Sequence, residues 1–107
     1  MIIGYYNKDR MGRSLARCLR LVNSNPEFET LIREKTSWFH RILKNSNVVS
    51  TLEQAASNYR AVILVGTLVE QENLTVDEAI EAVQKYLDIP DLHPKLVKDI
   101  VLDYREQ

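Results

Sequence analysis

The stretch YRAVILVGTLV, from Tyr59 to Val69, decides the fold class. It is apolar nearly all round and rich in β-branched residues, so by itself it suits either a buried helix or a buried strand. The residues just before it, Leu52 to Ala56 (LEQAA), favour a helix, and only two residues separate the segments. We therefore predict one helix, running to about Glu72 and buried on every side. The alternative is an α+β fold with strands near residues 2–6 and 59–69.

Two further helices are predicted before this stretch. The first runs from about Lys8 to Val22 and has an apolar stripe along one side. That stripe consists of Met11, Leu15, Cys18, Leu19 and Val22. The second helix begins at Pro26, with Asn25 as its N-cap, and runs to about Lys44. Its apolar arc consists of Phe28, Leu31, Ile32, Trp38, Phe39, Ile42 and Leu43.

Helix-start signals also organise the second half of the chain. Ser50-Thr51-Leu52-Glu53 fits a capping box for the decisive helix, and Thr75-Val76-Asp77-Glu78 fits one for a fourth helix that runs to about Asp88. His93-Pro94 opens a fifth helix. Its inner face consists of Leu96, Val97, Ile100, Val101 and Tyr104. Five helices with short connections predict an all-α fold, a compact antiparallel bundle that forms a single domain over residues 1–107.

Composition favours a cytoplasmic protein. The chain has 107 residues, 45% hydrophobic and 27% charged, as ordinary globular domains have. Cys18 is the only cysteine, so no internal disulfide can form, which favours a reducing compartment. The longest apolar run, residues 61–69, is far shorter than the roughly 20 residues that span a bilayer. The first ten residues do not fit a signal peptide, because charge follows their apolar part. We expect no membrane partner.

Basic residues are concentrated on the first two helices. Residues 1–50 carry nine Lys/Arg and four Asp/Glu (+5), whereas residues 51–107 carry five and eleven (−6). Four arginines of the first helix lie within about 80° of arc, opposite its apolar stripe. The candidate anion-binding residues are Arg10, Arg13, Arg17, Arg20, Arg33, His40, Arg41 and Lys44. Because guanidinium groups match phosphate oxygens, the first-choice partner is a nucleic-acid backbone, bound alone or within a larger complex. A simple solvated face is the alternative.

A second functional class is a protein-interaction module. Its basic face would dock on an acidic protein surface, as in an inhibitor, an immunity-type protein or an assembly adaptor. Alternatively, Glu78 and Glu81 on the outer face of the fourth helix would meet the basic face of another copy, head to tail, and form an oligomer.

Three residues in or beside apolar segments have structural and functional interpretations. Lys35 lies within the apolar arc of the second helix, so its stem covers apolar surface or its ammonium pairs with a carboxylate at an interface. Trp38 is predicted chiefly as a core residue, with a partly exposed interface anchor as the alternative. Gly66 is predicted to permit a close helix crossing. Lys35 and Trp38 therefore join Glu78 and Glu81 as interface candidates.

Catalytic and metal-binding patterns are not found. His40 and His93 have no Cys or acidic neighbours at ligand spacing, and Cys18 lies on an apolar face, as a buried and inert thiol would. The chain has no Gly-rich phosphate loop and no nucleophile with an evident base. We therefore expect a protein that is not an enzyme and that needs no metal or cofactor. A carboxylate-dependent hydrolase using Glu78 and Glu81 is the remaining enzymatic alternative.

Overall fold

The described part of the chain folds into five helices. The computed structural model describes residues 2–45, 47, 51–89 and 91–106, and side chains within residues 10–103 of those ranges. The helices are α1 (Ile2–Ser24), α2 (Pro26–Asn45), α3 (Leu52–Glu72), α4 (Val76–Tyr86) and α5 (Pro94–Glu106). No strand occurs in these ranges. The all-α prediction is therefore confirmed, and the alternative with strands near 2–6 and 59–69 is wrong. α1 begins earlier than the predicted start near Lys8.

The decisive stretch forms the middle of α3, which is the central helix of the bundle. α3 packs against each of the other four helices. The main core lies between α1, α3, α4 and α5, and includes the apolar stripe predicted on the first helix. A smaller cluster at the other side of α3 consists of Phe39, Leu43 and Ala55. An apolar surface that extends around α3 is what allows one helix to serve both clusters.

Side-chain caps define where the helices begin. Thr75 Oγ1 accepts from the Glu78 N–H at 3.1 Å, and the Glu78 carboxylate accepts from the Thr75 N–H at 3.0 Å, so this capping box is confirmed. The Asn25 cap is confirmed as well, because its Oδ1 accepts from the N–H of Glu27 at 3.0 Å. The box predicted for α3 was placed one residue early.

At α3 the cap is formed by Thr51 and Gln54 rather than by Ser50 and Glu53. Thr51 Oγ1 accepts from the Gln54 N–H at 3.1 Å, and Gln54 Oε1 accepts from the Thr51 N–H at 2.8 Å. Glutamine serves as well as glutamate in this reciprocal pairing, which explains why the motif could be read in two registers. Ser50 lies outside the described residues.

A buried asparagine fixes the connection between α4 and α5. Asn58 Nδ2 donates to the backbone carbonyls of Gln54 (2.9 Å) and Asp91 (3.1 Å), and Asn58 Oδ1 accepts from the His93 N–H at 2.9 Å. Gln54 Nε2 also donates to Asp91 Oδ2 at 2.7 Å. Asn58 is fully buried, so these bonds satisfy a group that would otherwise be costly to remove from water. The sequence pattern gave no sign of this role.

The end of α4 and the start of α5 lie at or close to their predicted positions. α4 ends at Tyr86, two residues before the predicted end near Asp88, and α5 begins at Pro94 as predicted. Val97 and Val101 are buried as predicted for the inner face of α5, whereas the side chain of Tyr104 lies outside the described residues.

No helix in the described ranges has the length and apolar character needed to cross a bilayer.

Candidate binding groove

A groove of about 610 Å³ lies between α2 and α5, with α3 as its floor. Within the described residues, no Cα of α2 lies within 8 Å of a Cα of α5. Directly packed helices have axes about 8–10 Å apart, so the two walls are separated by more than one packing distance. Tyr59, Val62 and Ile100 line the groove and also pack against the smaller apolar cluster, so the two lie side by side.

The floor of the groove contradicts the prediction that α3 is buried on every side. Val62 and Ile63 are only half-buried, and both line the groove. The apolar character of this side of α3 is therefore real, but α2 and α5 cover it only in part. The sequence pattern indicated an apolar surface correctly, and the prediction failed because the number of helices that cover α3 depends on their packing angles.

Gly66 lies on the same floor and does not mark a close helix crossing. A Cβ atom built on Gly66 would meet no other atom within 4 Å, so the prediction of a tight crossing there is wrong. Its φ is not positive, so the backbone does not require glycine either. A mid-helix glycine costs about 1 kcal/mol relative to alanine. In the described part of the chain, nothing packs on Gly66 to offset that cost.

Trp38 forms part of the α2 wall. Its side chain is 44% exposed, while its neighbour Phe39 is fully buried. The prediction of Trp38 as chiefly a core residue is therefore wrong, whereas Phe39, its neighbour in the predicted apolar arc, does lie in the core. The indole meets the Tyr59 ring edge to face, with centroids 6.4 Å apart, and lies 6.3 Å from the Phe39 ring. These contacts position a partly exposed aromatic side chain beside the apolar floor.

Charges of opposite sign flank the groove. Lys35 lies on the α2 side, Asp103 on the α5 side and Glu70 towards the C-terminal end of α3, and all three are exposed. Among the described residues, none of the three takes part in an ion pair. The structure thus places the interface candidates Lys35 and Trp38 together. It also places Glu70 and Asp103 at the same groove, although no sequence pattern had linked these two residues to Lys35 or Trp38.

No protein-family model, curated protein or solved structure gives a significant match to this chain. The groove and the charged faces are therefore the guides to function.

The predicted basic residues lie on the outside of α1 and α2. Arg10, Arg13, Arg17, Arg20, Arg33, Arg41 and Lys44 are exposed, and His40 is half-buried. Two acidic side chains interrupt this surface. Arg60 Nη2 of α3 lies 3.2 Å from Glu29 Oε2, and Arg60 Nη1 donates to Asn23 Oδ1 at 3.3 Å, which ties the α1–α2 junction to α3.

Arg17 is the second point at which the basic surface is interrupted. Its Nε donates to Glu72 Oε1 at 3.0 Å, and its Nη2 donates to the same oxygen and to Ser14 Oγ. The hydrogen bond from Arg17 lowers the pKa of the Glu72 carboxyl, although partial burial opposes that shift. Arg17 therefore joins α1 to the C-terminal end of α3, a role that the arginine stripe did not reveal.

The acidic face of α4 is also partly engaged. Glu78 takes part in the capping box, Asp77 Oδ1 lies 2.8 Å from Lys98 Nζ of α5, and Glu81 is exposed. The i, i+4 spacing of Glu81 and Lys85 predicts an ion pair, but the two side chains form none in the described structure. Lys85 Nζ lies 5.6 Å from the centroid of the Tyr86 ring.

In the described structure Cys18 is a buried thiol, and the acidic side chains form no metal-holding cluster. Cys18 is buried with its Sγ 3.6 Å from the Leu64 carbonyl oxygen, and burial raises the pKa of its thiol to about 11. The thiol is therefore protonated at neutral pH, and the predicted inert character is consistent with this environment. The described residues contain no group of three His, Cys, Asp or Glu side chains placed to hold a metal ion.

Proposed function

We propose that this protein is a non-enzymatic interaction module that binds another protein in the groove between α2, α3 and α5. The observation that carries the proposal is the partly covered apolar side of α3, where Val62 and Ile63 are half-buried and Gly66 has open space above it. Contiguous exposed apolar surface rimmed by polar residues is typical of interaction sites.

Trp38 supports a protein partner. Tryptophan is enriched among the residues that dominate protein–protein affinity, because it buries a large area at a small entropic cost. Here the rings of Tyr59 and Phe39 hold the indole at the groove wall, so little freedom remains to be lost on binding. A preorganised aromatic side chain next to an apolar floor is the arrangement expected of a binding hot spot.

The proposal can be tested by selecting binders from an unbiased library of displayed peptides on the wild-type protein. We expect the selected peptides to bind Gly66→Leu and Trp38→Ala at least roughly tenfold more weakly, since these changes block the floor or remove the anchor. Leu21→Ala is the matched control, because Leu21 is a large exposed apolar residue that does not line the groove. Equal affinity for wild type and both groove variants would overturn the proposal.

The exposed basic residues favour a second candidate function, contact with a nucleic-acid backbone. Arg10, Arg20, Arg33, Arg41 and Lys44 point away from the buried sides of α1 and α2. Binding through phosphates would weaken linearly with the logarithm of salt concentration, and arginine substitutions would weaken all sequences alike.

Filter retention of DNA or RNA at low salt tests this candidate. Arg10→Glu with Arg20→Glu should abolish retention, whereas Lys85→Glu with Lys95→Glu makes the same change in net charge on α4 and α5 and should largely preserve it. If the wild-type protein retains neither DNA nor RNA, this candidate is rejected.

The same basic face would also bind an acidic protein surface or the acidic face of α4 in another copy. Head-to-tail association would set Glu81 against the α1 arginines and need not close, so its products would grow with concentration. Measuring the mass in solution at several concentrations, with and without nucleic acid, separates these cases. A concentration-independent monomer would reject self-association.

A further inference from the structure

We infer that the occupant of the groove is an amphipathic α-helix of the partner protein, which carries an acidic side chain facing Lys35 and a basic side chain facing Glu70 and Asp103. This inference rests on the proposed function and specifies the partner of the same site. It follows from the shape of the groove, the chemistry of its walls and the signs of its rim charges.

The shape of the groove matches a helix. α2 and α5 both pack on α3, and among the described residues no Cα of α2 lies within 8 Å of a Cα of α5, so a groove runs between them. An α-helix is about 10 Å across with its side chains and packs on others at axial distances of about 8–10 Å. A partner helix laid along α3 would therefore complete the bundle in the way that its own helices do.

The walls of the groove favour a helix over an extended peptide. An extended strand needs a sheet edge to satisfy its N–H and C=O groups, and the described walls consist only of helices, whose backbone groups are already paired. A helix satisfies its own backbone and presents only side chains. An extended segment in this groove would leave backbone groups unpaired next to Val62 and Ile63.

Gly66 explains how a helix could come close to the floor. A Cβ atom at this position would meet nothing within 4 Å in the present structure, so the space above the glycine is free for an approaching side chain or backbone. Small residues are what allow helices to approach each other closely. Packing of the partner helix on Gly66 would then offset the helix-propensity cost of this glycine. No packing within the described structure offsets that cost.

The rim charges set the chemistry of the helix. Lys35 stands on one side of the floor, whereas Asp103 and Glu70 stand on the α5 side and at the C-terminal end of α3. A helix with an acidic residue on one flank and a basic residue on the other meets opposite charges along both rims. Helices with one sign on both flanks meet repulsion at one rim, which disfavours the wrong partner.

The test uses three designed helical peptides that share one apolar face and lack tryptophan. The mixed peptide carries Glu on one flank and Lys on the other, and the other two carry only Glu or only Lys on both flanks. Binding is followed by fluorescence, because Trp38 is the chain's single tryptophan and lies in the groove. Since an exposed ion pair changes affinity by up to about fivefold, we expect the mixed peptide to bind about two- to fivefold more tightly than either of the others.

Two variants make the expectation specific. Lys35→Glu turns all the named rim charges acidic, so the preference should shift to the all-Lys peptide. Arg20→Glu makes the same change in net charge on the outer face of α1, so it should leave the order of affinities unchanged. A mixed peptide with proline at its centre should bind at least roughly tenfold more weakly, because proline breaks the helix.

Several results would overturn the inference. One is equal binding of the proline-containing peptide, and another is a ranking that Lys35→Glu does not change. Binding of dodecanoate in place of the peptides would assign the groove to an apolar anion, and a wild-type dimer that Gly66→Leu makes monomeric would assign it to a second copy. If library-selected peptides still need the groove while the helical ones do not bind, the inference fails and the proposed function stands.

Discussion

Trp38 of α2 and Tyr59 of α3 meet edge to face, with ring centroids 6.4 Å apart and planes at 85°. This pair lies where the groove meets the smaller apolar cluster, since Tyr59 lines the groove and packs against that cluster. The indole is therefore fixed on one side by aromatic packing and open on the other to the groove. Under the proposed function, we expect a side chain in that position to contribute moderately to stability and strongly to binding.

Replacing Trp38 separates those two contributions. We predict that Trp38→Ala lowers the free energy of unfolding by about 1–2 kcal/mol, less than the 3–5 kcal/mol typical of a buried Trp, because the indole is only partly buried. Urea denaturation followed by circular dichroism measures this. Trp38→Phe should recover most of the stability, since a smaller ring can still pack on Tyr59. A loss as large as that of a core residue would show that the wall is not open.

Gly66→Ala should stabilise the protein. The added methyl group meets no atom within 4 Å, so the change gains helix propensity without a clash, by up to about 1 kcal/mol. Thermal or urea unfolding measures the gain. Gly12→Ala provides a comparison inside α1, where the added Cβ would touch the Tyr86 ring at 3.5 Å. Destabilisation by Gly66→Ala would mean that the floor is covered in solution.

Asn58→Leu should be strongly destabilising. It would leave the Asp91 carbonyl and the His93 N–H, which Asn58 now satisfies, without their partner in a partly buried place. Each unsatisfied group costs about 1–3 kcal/mol, so we predict a loss of about 2–5 kcal/mol in the free energy of unfolding. Glu53→Leu on the exposed surface of α3 is the control and should change stability little. A small effect of Asn58→Leu would indicate that the α4–α5 connection is not held by this residue.

The Arg17–Glu72 pair predicts a defined pH dependence. Because Arg17 lowers the pKa of Glu72 in the folded state, the pair stabilises the fold above the unfolded pKa of glutamate. That contribution is lost as the pH falls through the lower folded pKa. Wild type should therefore be more stable than Glu72→Gln at pH 7, and the difference should disappear in acid. Urea midpoints between pH 7 and pH 3 measure it, and a difference that grows in acid would contradict the assignment.

The same substitution also probes the second candidate function. Glu72→Gln leaves Arg17 without its carboxylate partner and raises the net charge by one. If the α1 face binds nucleic acid, retention on filters at low salt should increase in this variant. Asp99→Asn makes the same charge change on α5 and should have a smaller effect. Unchanged retention by Glu72→Gln would argue against a role for Arg17 in that contact.

The helices were predictable because their signals are local. The apolar stripe of α1, the Asn25 cap and the Thr75–Glu78 box each depend on residues within one or two turns, and the structure confirms all three. The helical state of residues 59–69 was decided by the helix-forming residues before them. The Thr51 cap was misplaced by one residue because both registers satisfy the same motif.

The groove was not predictable, because it depends on how helices far apart in sequence cross. The pattern of α3 indicated an apolar surface all round, but not that α2 and α5 would leave the side with Gly66 uncovered. The Arg17–Glu72 bond joins residues 55 positions apart, and no periodicity connects them. Lys35 was recognisable as a charged residue within an apolar arc. Nothing in the positions of Glu70 and Asp103 distinguished them from other exposed carboxylates.

The most direct test of the groove as the binding surface is the affinity of the library-selected peptides for Gly66→Leu, measured by Trp38 fluorescence beside wild type and Arg20→Glu. Gly66→Leu should first be shown to unfold at or above the wild-type temperature. We predict that it binds the peptides at least roughly tenfold more weakly, while Arg20→Glu binds them as wild type does. Peptides that bind Gly66→Leu with wild-type affinity and lose affinity for Arg20→Glu would contradict the groove and favour the basic face.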